Sequence, residues 1–130
     1  MAVSTINWDA AYAATSINAS AVANAAVATT AAITNDGKIA TEISVTVVYG
    51  ATATAGLIVY LLRDVDGTNY EAVADKPWGF EMERAVSATY RRVFAVSAGE
   101  MDNFKVHVTN NSGASVTVTV RTRQGTFDTV

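Results

Sequence analysis

Apolar and polar residues alternate along much of the chain after residue 36. Ile43, Val45, Val47 and Tyr49 alternate with Glu42, Ser44 and Thr46, the two-residue period of a strand buried on one face. Tyr90, Phe94 and Val96 alternate with Thr89, Arg91 and Val93, and Arg92 falls on the apolar side, which places that end of the strand near a rim. Phe104, Val106 and Val108 alternate with Lys105, His107 and Thr109, then Val116, Val118 and Val120 with Thr117, Thr119 and Arg121. Asn110-Asn-Ser-Gly113 lies between these two runs and predicts a hairpin. A one-residue slip would put three valines in water, at roughly 1.5 kcal/mol or more each.

One run does not alternate. Leu57 to Leu62 is continuously apolar, as expected of a central strand covered on both faces. Arg63 and Asp64 end it, and Asp66-Gly67 offers a tight turn into a short strand from Asn69 to Val73. Asp75-Lys-Pro-Trp-Gly-Phe80 breaks the pattern, since proline donates no ladder hydrogen bond. Asn35-Asp-Gly-Lys38 and Ser97-Ala-Gly-Glu100 read as turns. Seven or eight strands with little helical period predict an all-β fold, an antiparallel β-sandwich of jelly-roll-like form. An immunoglobulin-like topology is the alternative, without the Cys–Trp–Cys hallmark of antibody domains.

The first 35 residues are different. They form an extended Ala-rich arm with apolar beads at Ile6, Trp8, Tyr12, Ile17, Val22, Val27 and Ile33, and Asp9 is the only charge among them. The bead spacing fits neither helix nor strand. A turn or two of helix capped by Asn7 could span Trp8 to Ala14, and a first strand could lie near Ala26 to Thr34. The expected division is residues 1–35 as arm and possible first strand, and residues 36–130 as sandwich domain. Such an arm, too poor in charge to be well solvated alone, would dock on its own body or on a neighbouring subunit.

Composition narrows the function. With 130 residues and one proline, a single domain is expected. The chain has no cysteine, hence no disulfide and no thiolate chemistry. A net charge of −3 with scattered basic residues argues against nucleic acid as a partner. No apolar run approaches the roughly 20 residues of a membrane span, so no membrane partner is expected. The opening Met-Ala-Val-Ser-Thr lacks the basic region of a secretory signal.

Asp64-Val-Asp-Gly-Thr-Asn-Tyr-Glu71 clusters carboxylates, but the EF-hand spacing fails at Thr68 and Glu71; a strand-end turn explains it, and no metal or cofactor is expected. His107 reads as an exposed strand residue with no partner to make it a base. Glu81 and Glu83 read as solvated charges instead of a glycosidase pair. Arg91-Arg92 and Arg121/Arg123 would pair with carboxylates or face a partner protein. No catalytic residues are expected, and the chain reads as a non-enzyme. Trp78, in Pro77-Trp-Gly-Phe80, would plug the sandwich, anchor an interface or stack on a sugar. The candidate interface residues are therefore Ile6, Trp8, Tyr12, Ile17, Trp78 and Phe80.

The run Gly56 to Glu71, the Pro77–Phe80 loop, Arg91-Arg-Val-Phe-Ala-Val-Ser97, Asp102-Asn-Phe-Lys-Val106 and Asn110-Asn-Ser-Gly113 before a Val/Thr strand together resemble the small β-sandwich virion proteins of tailed bacteriophages. The resemblance covers roughly residues 36 to 124 and is one of texture and order. It implies a virion location and an adhesive role as a capsid decoration (cement) subunit. Its partners would be the major capsid or other virion proteins, in a homo-oligomer, often a trimer in such proteins. The alternatives are a tail, baseplate or fibre component, and a carbohydrate-binding module.

Overall fold

The structure, a computed structural model, describes residues 4–129. Strands β1 (Ser4–Trp8), β2 (Ala13–Ala14), β3 (Ser20–Val22), β6 (Ala40–Val48), β9 (Thr89–Ser97) and β11 (Val116–Thr129) form the first sheet. Strands β4 (Val27–Thr29), β5 (Ile33–Thr34), β7 (Ile58–Arg63), β8 (Gly79–Glu81) and β10 (Asn103–Thr109) form the second. Their order is β1-β11-β6-β9 and β4-β10-β7-β8, with β2 and β3 also on β11 and β5 also on β10. All these pairings are antiparallel.

This is the antiparallel β-sandwich that the alternation predicts. From β6 to β11 the chain changes sheet at every connection except β7 to β8, the double-sheet winding of a jelly-roll-like form. Ile43, Val45 and Val47 of β6 meet Val59 and Leu61 of β7, Phe104, Val106 and Val108 of β10, and Val116, Val118 and Val120 of β11 in one core. The central run is covered mainly on its core face. Leu57, Val59 and Leu61 are buried there, while on the other face Leu62 is buried and Ile58 and Tyr60 are half-buried.

The hairpin expected of Phe104–Val108 and Val116–Val120 does not form. Both runs are strands, but β10 and β11 belong to opposite sheets. Residues 110 to 115 arch between them, and the arch is held by Asn110, whose side-chain amide donates to the Val22 and Ala114 carbonyls at 2.8 Å each. Periodicity fixes which face of a strand is buried and says nothing of its neighbour.

The strand expected at Asn69–Val73 shrinks to one bridge, Asp64 to Tyr70, and a 3-10 turn at Val73–Asp75. Asp64 and Asp66 instead shape the loop. The Asp64 carboxylate accepts from Asp66 and Gly67 N–H, and that of Asp66 from Thr68 and Asn69 N–H.

The N-terminal arm wraps its own body. β1, β2 and β3 lie successively along the outer edge of β11. The chain then crosses the end of the sandwich, where Ala25 N–H donates to Asn110 C=O and Asn110 N–H to Ala26 C=O. Beyond it, β4 and β5 run along the outer edge of β10. Trp8 to Ala14 holds no helix: it closes β1, turns, and enters β2. The strand expected near Ala26–Thr34 is split in two around Thr30, whose hydroxyl replaces a backbone acceptor for Val106 N–H at 3.0 Å.

Candidate interaction surfaces

The arm seals the β10/β11 side, and among the described residues the sandwich stays open on the other, where β8 and β9 are the edge strands. Aromatic rings fill that opening. Phe80 of β8 and Phe94 of β9 pack edge to face with centroids 5.2 Å apart, and Trp78 lies 5.5 Å from Phe80 and 5.8 Å from Phe94. Arg92 caps the cluster, its guanidinium 4.1 Å from the centre of the Phe80 ring, a favourable cation–π contact. The rim position expected of Arg92 is thereby explained.

Trp78 is nonetheless 51% exposed. Its ring lines a groove of about 440 Å³ together with Phe94, Leu61, Val96 and Met101 and the charged Arg63 and Glu100. Gly79 lets this wall sit close. A Cβ there would come within 2.6 Å of the Tyr60 ring and 2.7 Å of the Val59 carbonyl.

A second cluster lies on the outer face of the first sheet. Arg123 of β11 faces Glu42 of β6 across the ladder and binds it with two hydrogen bonds. The Tyr12 hydroxyl donates to the same carboxylate. The guanidinium also lies 5.3 Å from the Trp8 ring centre and 5.1 Å from that of Tyr12. These contacts depress the Glu42 pKa, first through Arg123 and then through Tyr12, and raise that of Tyr12 through Glu42. Trp8 reaches this place because its cross-strand partner is Gly125; a Cβ at 125 would stand 3.1 Å from the indole. Beyond Trp8, the cross-strand pair Ile6 and Phe127 is 55% and 66% exposed.

Four of the six candidate interface residues thus fall into two pairs, Trp78 with Phe80 at the open edge and Trp8 with Tyr12 over Arg123. Ile6 extends the second cluster outward. Ile17 does not belong with them: it is 2% exposed and part of the core, so it is unavailable to a partner. Phe127 and Phe94 escaped the sequence reading as surface groups. Phe127 carries a signal that could have found it, an apolar residue in alternation beyond Arg121 and Arg123.

His107 is 8% exposed, not the exposed residue expected. Its side chain is covered between the neighbouring strands, with Nδ1 2.7 Å from the Thr29 hydroxyl and the Tyr60 ring alongside. Burial pushes its pKa down. Glu81 also has a structural task, accepting from Gly56 N–H at 2.9 Å. Arg123 pairs with a carboxylate as expected. Arg91, Arg92 and Arg121 have no carboxylate partner among the described residues. A hollow of about 540 Å³ lies beside the Asp64–Gly67 loop, and no group of three or more metal-ligating side chains occurs among the described residues.

No protein-family model matches the chain, and no curated protein matches it. Similar solved structures include a GH115 4-O-methyl-α-glucuronidase, BtGH115A, with specificity for decorated arabinogalactans. It aligns at 8% identity and a TM-score of 0.48, over 78% of this chain and 14% of that one. The Yersinia pseudotuberculosis-derived mitogen aligns at 10% identity and a TM-score of 0.39, over 97% of this chain and 86% of that one. The chain therefore spans about one-seventh of the glucuronidase's length.

Proposed function

We propose that this chain is a non-enzymatic virion structural protein, a capsid decoration (cement) subunit that grips the shell through protein–protein contacts. The observation that carries the reading is the Ile6–Phe127 pair. Two large apolar side chains stand side by side in solvent at 55% and 66% exposure on a sheet whose core is already complete. Exposed apolar groups held on a rigid sheet suit a partner surface. The resemblance of residues 36 to 124 to phage virion β-sandwiches supplies the setting, and many weak copies on a symmetric shell would hold collectively. Purified chain added to shells stripped of it should sediment with them, and Phe127→Ser should weaken that binding while leaving the fold intact. Sedimentation of the chain with tails instead of shells would favour the tail, baseplate or fibre role.

A second reading has its own observation. Trp78 is half-exposed on a groove that Arg63 and Glu100 also line, a combination of flat ring and polar groups that suits a sugar. Glycan-array binding lost in Trp78→Ala would establish a carbohydrate-binding module in place of the shell contact.

A further inference from the structure

The arm covers the outer edges of β10 and β11, and β8 covers part of β7. Among the described residues β9 has no such cover. It pairs with β6 on one side only, over nine residues, in a register that runs without a bulge from Val48–Thr89 to Ala40–Ser97. It contains no proline. A long, flat, uncovered edge is a template for another strand unless something guards it. The guards here are two arginines, Arg91 and Arg92, and they constrain which strand can add.

The hydrogen bonds at the ends of β9 show which of its groups are free. Tyr49 N–H donates to Ala88 C=O at 2.9 Å and Ala98 N–H to Ile39 C=O at 2.8 Å. Even-numbered residues of β9 therefore turn their backbone groups toward β6, and Arg91, Val93 and Ala95 turn theirs off the edge. At the middle of this row is Val93, an apolar residue 54% exposed.

We propose that this edge pairs antiparallel with β9 of a second copy, about a two-fold axis at Val93. Self-pairing must respect the arginines. An axis at residue 91 or 92 would set an arginine directly opposite itself, which is destabilising. An axis at 94 or 95 would give up pairs at both ends. With the axis at Val93 all nine residues overlap, and Arg91 faces Ala95 of the second copy. Arg92 faces Phe94 of the second copy, whose ring already packs beside Phe80 and Trp78. Each copy thus offers the other's arginine an aromatic surface like the one its own Arg92 occupies on Phe80. Residues 91, 93 and 95 would exchange about six backbone hydrogen bonds across the axis, joining the two first sheets into one. The pairing does not depend on a virion setting, so the two ideas can fail separately.

The absence of cysteine makes the register directly measurable. Residue 93 would face itself with Cα atoms about 5.5 Å apart, within disulfide reach. Val93→Cys should therefore form a disulfide-linked dimer on mild oxidation. Arg91→Cys alone should not, because its two copies would lie roughly 13 Å apart along the strands. A mixture of Arg91→Cys and Ala95→Cys should crosslink with each other. Unmodified chain should sediment as a dimer, and Val93→Pro should sediment as a monomer with its far-ultraviolet spectrum retained. The lost N–H points off the edge, so the β6 ladder survives. If the proline variant does not fold, Val93→Lys, which sets two ammonium groups at the axis, replaces it with the same expected loss of dimer. A monomer at every concentration tested, or crosslinking by Arg91→Cys alone in place of Val93→Cys, overturns the proposal.

Discussion

Glu42 holds Arg123 with both carboxylate oxygens, at 3.1 and 3.2 Å, and accepts the Tyr12 hydroxyl at 2.5 Å. One carboxylate thereby ties three strands' worth of chain together: β6, β11 and the turn that leads the arm into β2. Its folded pKa lies below the ordinary glutamate value of 4.5, so its stabilising effect is present above that pH and is lost as pH falls through the folded value. Glu42→Gln cannot titrate. Urea unfolding should show the variant less stable than the parent at pH 7, with the gap closing in acid. An equal gap at pH 7 and pH 3 would mean that the ionised carboxylate contributes nothing.

His107 should add a second loss of stability in acid, beginning at higher pH. Burial depresses its pKa below the ordinary 6.5, so the unfolded chain takes up the proton first. Stability should be complete above about pH 6.5 and fall as pH drops toward the folded pKa. His107→Gln should remove this slope below pH 6.5 while leaving the lower, carboxylate-driven slope in place. Unfolding free energies at half-unit pH intervals would show it, and an unchanged slope would count against the buried placement.

Gly125 makes room for Trp8. A β-carbon would stand 3.1 Å from the indole, so Gly125→Val should push Trp8 off β11 and loosen β1, at a cost of about 1–3 kcal/mol typical of overpacking. In a Trp78→Phe background Trp8 is the sole tryptophan, and its emission should shift to the red in the variant. Emission identical to the parent's would mean that β1 is not held by this contact.

Core and surface aromatics should separate cleanly. Phe104 is fully buried, and Phe104→Ala should cost about 3–5 kcal/mol. Phe127 is 66% exposed, and Phe127→Ser should change stability by no more than about 0.5 kcal/mol. Chemical denaturation of the two variants would test this. A large loss from Phe127→Ser would assign that ring to the fold and remove it as a contact group.

The layers of the sandwich were legible in the sequence because alternation reports burial directly. Ile43 to Tyr49, Tyr90 to Val96, Phe104 to Val108 and Val116 to Val120 all lie in strands or at their ends, with their apolar faces turned toward the core, and Arg92 sits at the rim as its parity implies. The partnering of those strands was not legible. β10 and β11 look like a hairpin in sequence, but each takes its neighbours from distant segments, and one buried asparagine, Asn110, holds the arch between them. Its fellow Asn35, buried at the other end, donates to the Val96 and Met101 carbonyls, yet in sequence it looks like an ordinary turn residue.

The arm was hard to read for a related reason. Its strands are two to five residues long, too short to show a period, and their stability comes from the ready edges of β10 and β11. Ile17 looked like one bead among seven, and only the wrap around the sandwich buries it. His107 has the parity of a polar, outward residue, yet Thr29 and Tyr60 on adjacent strands close over it. Trp78 and Phe80 share the Pro77–Phe80 motif in sequence, but the third ring packed with them, Phe94, comes from a strand in the other sheet.

The proposed role as a shell-bound subunit is tested most directly by a reconstruction of the intact particle. That role predicts density for this β-sandwich on the outer capsid surface, with the Ile6–Phe127 face against the underlying shell protein. A particle whose capsid surface carries no such density, with every copy in the tail or none in the particle, would contradict it.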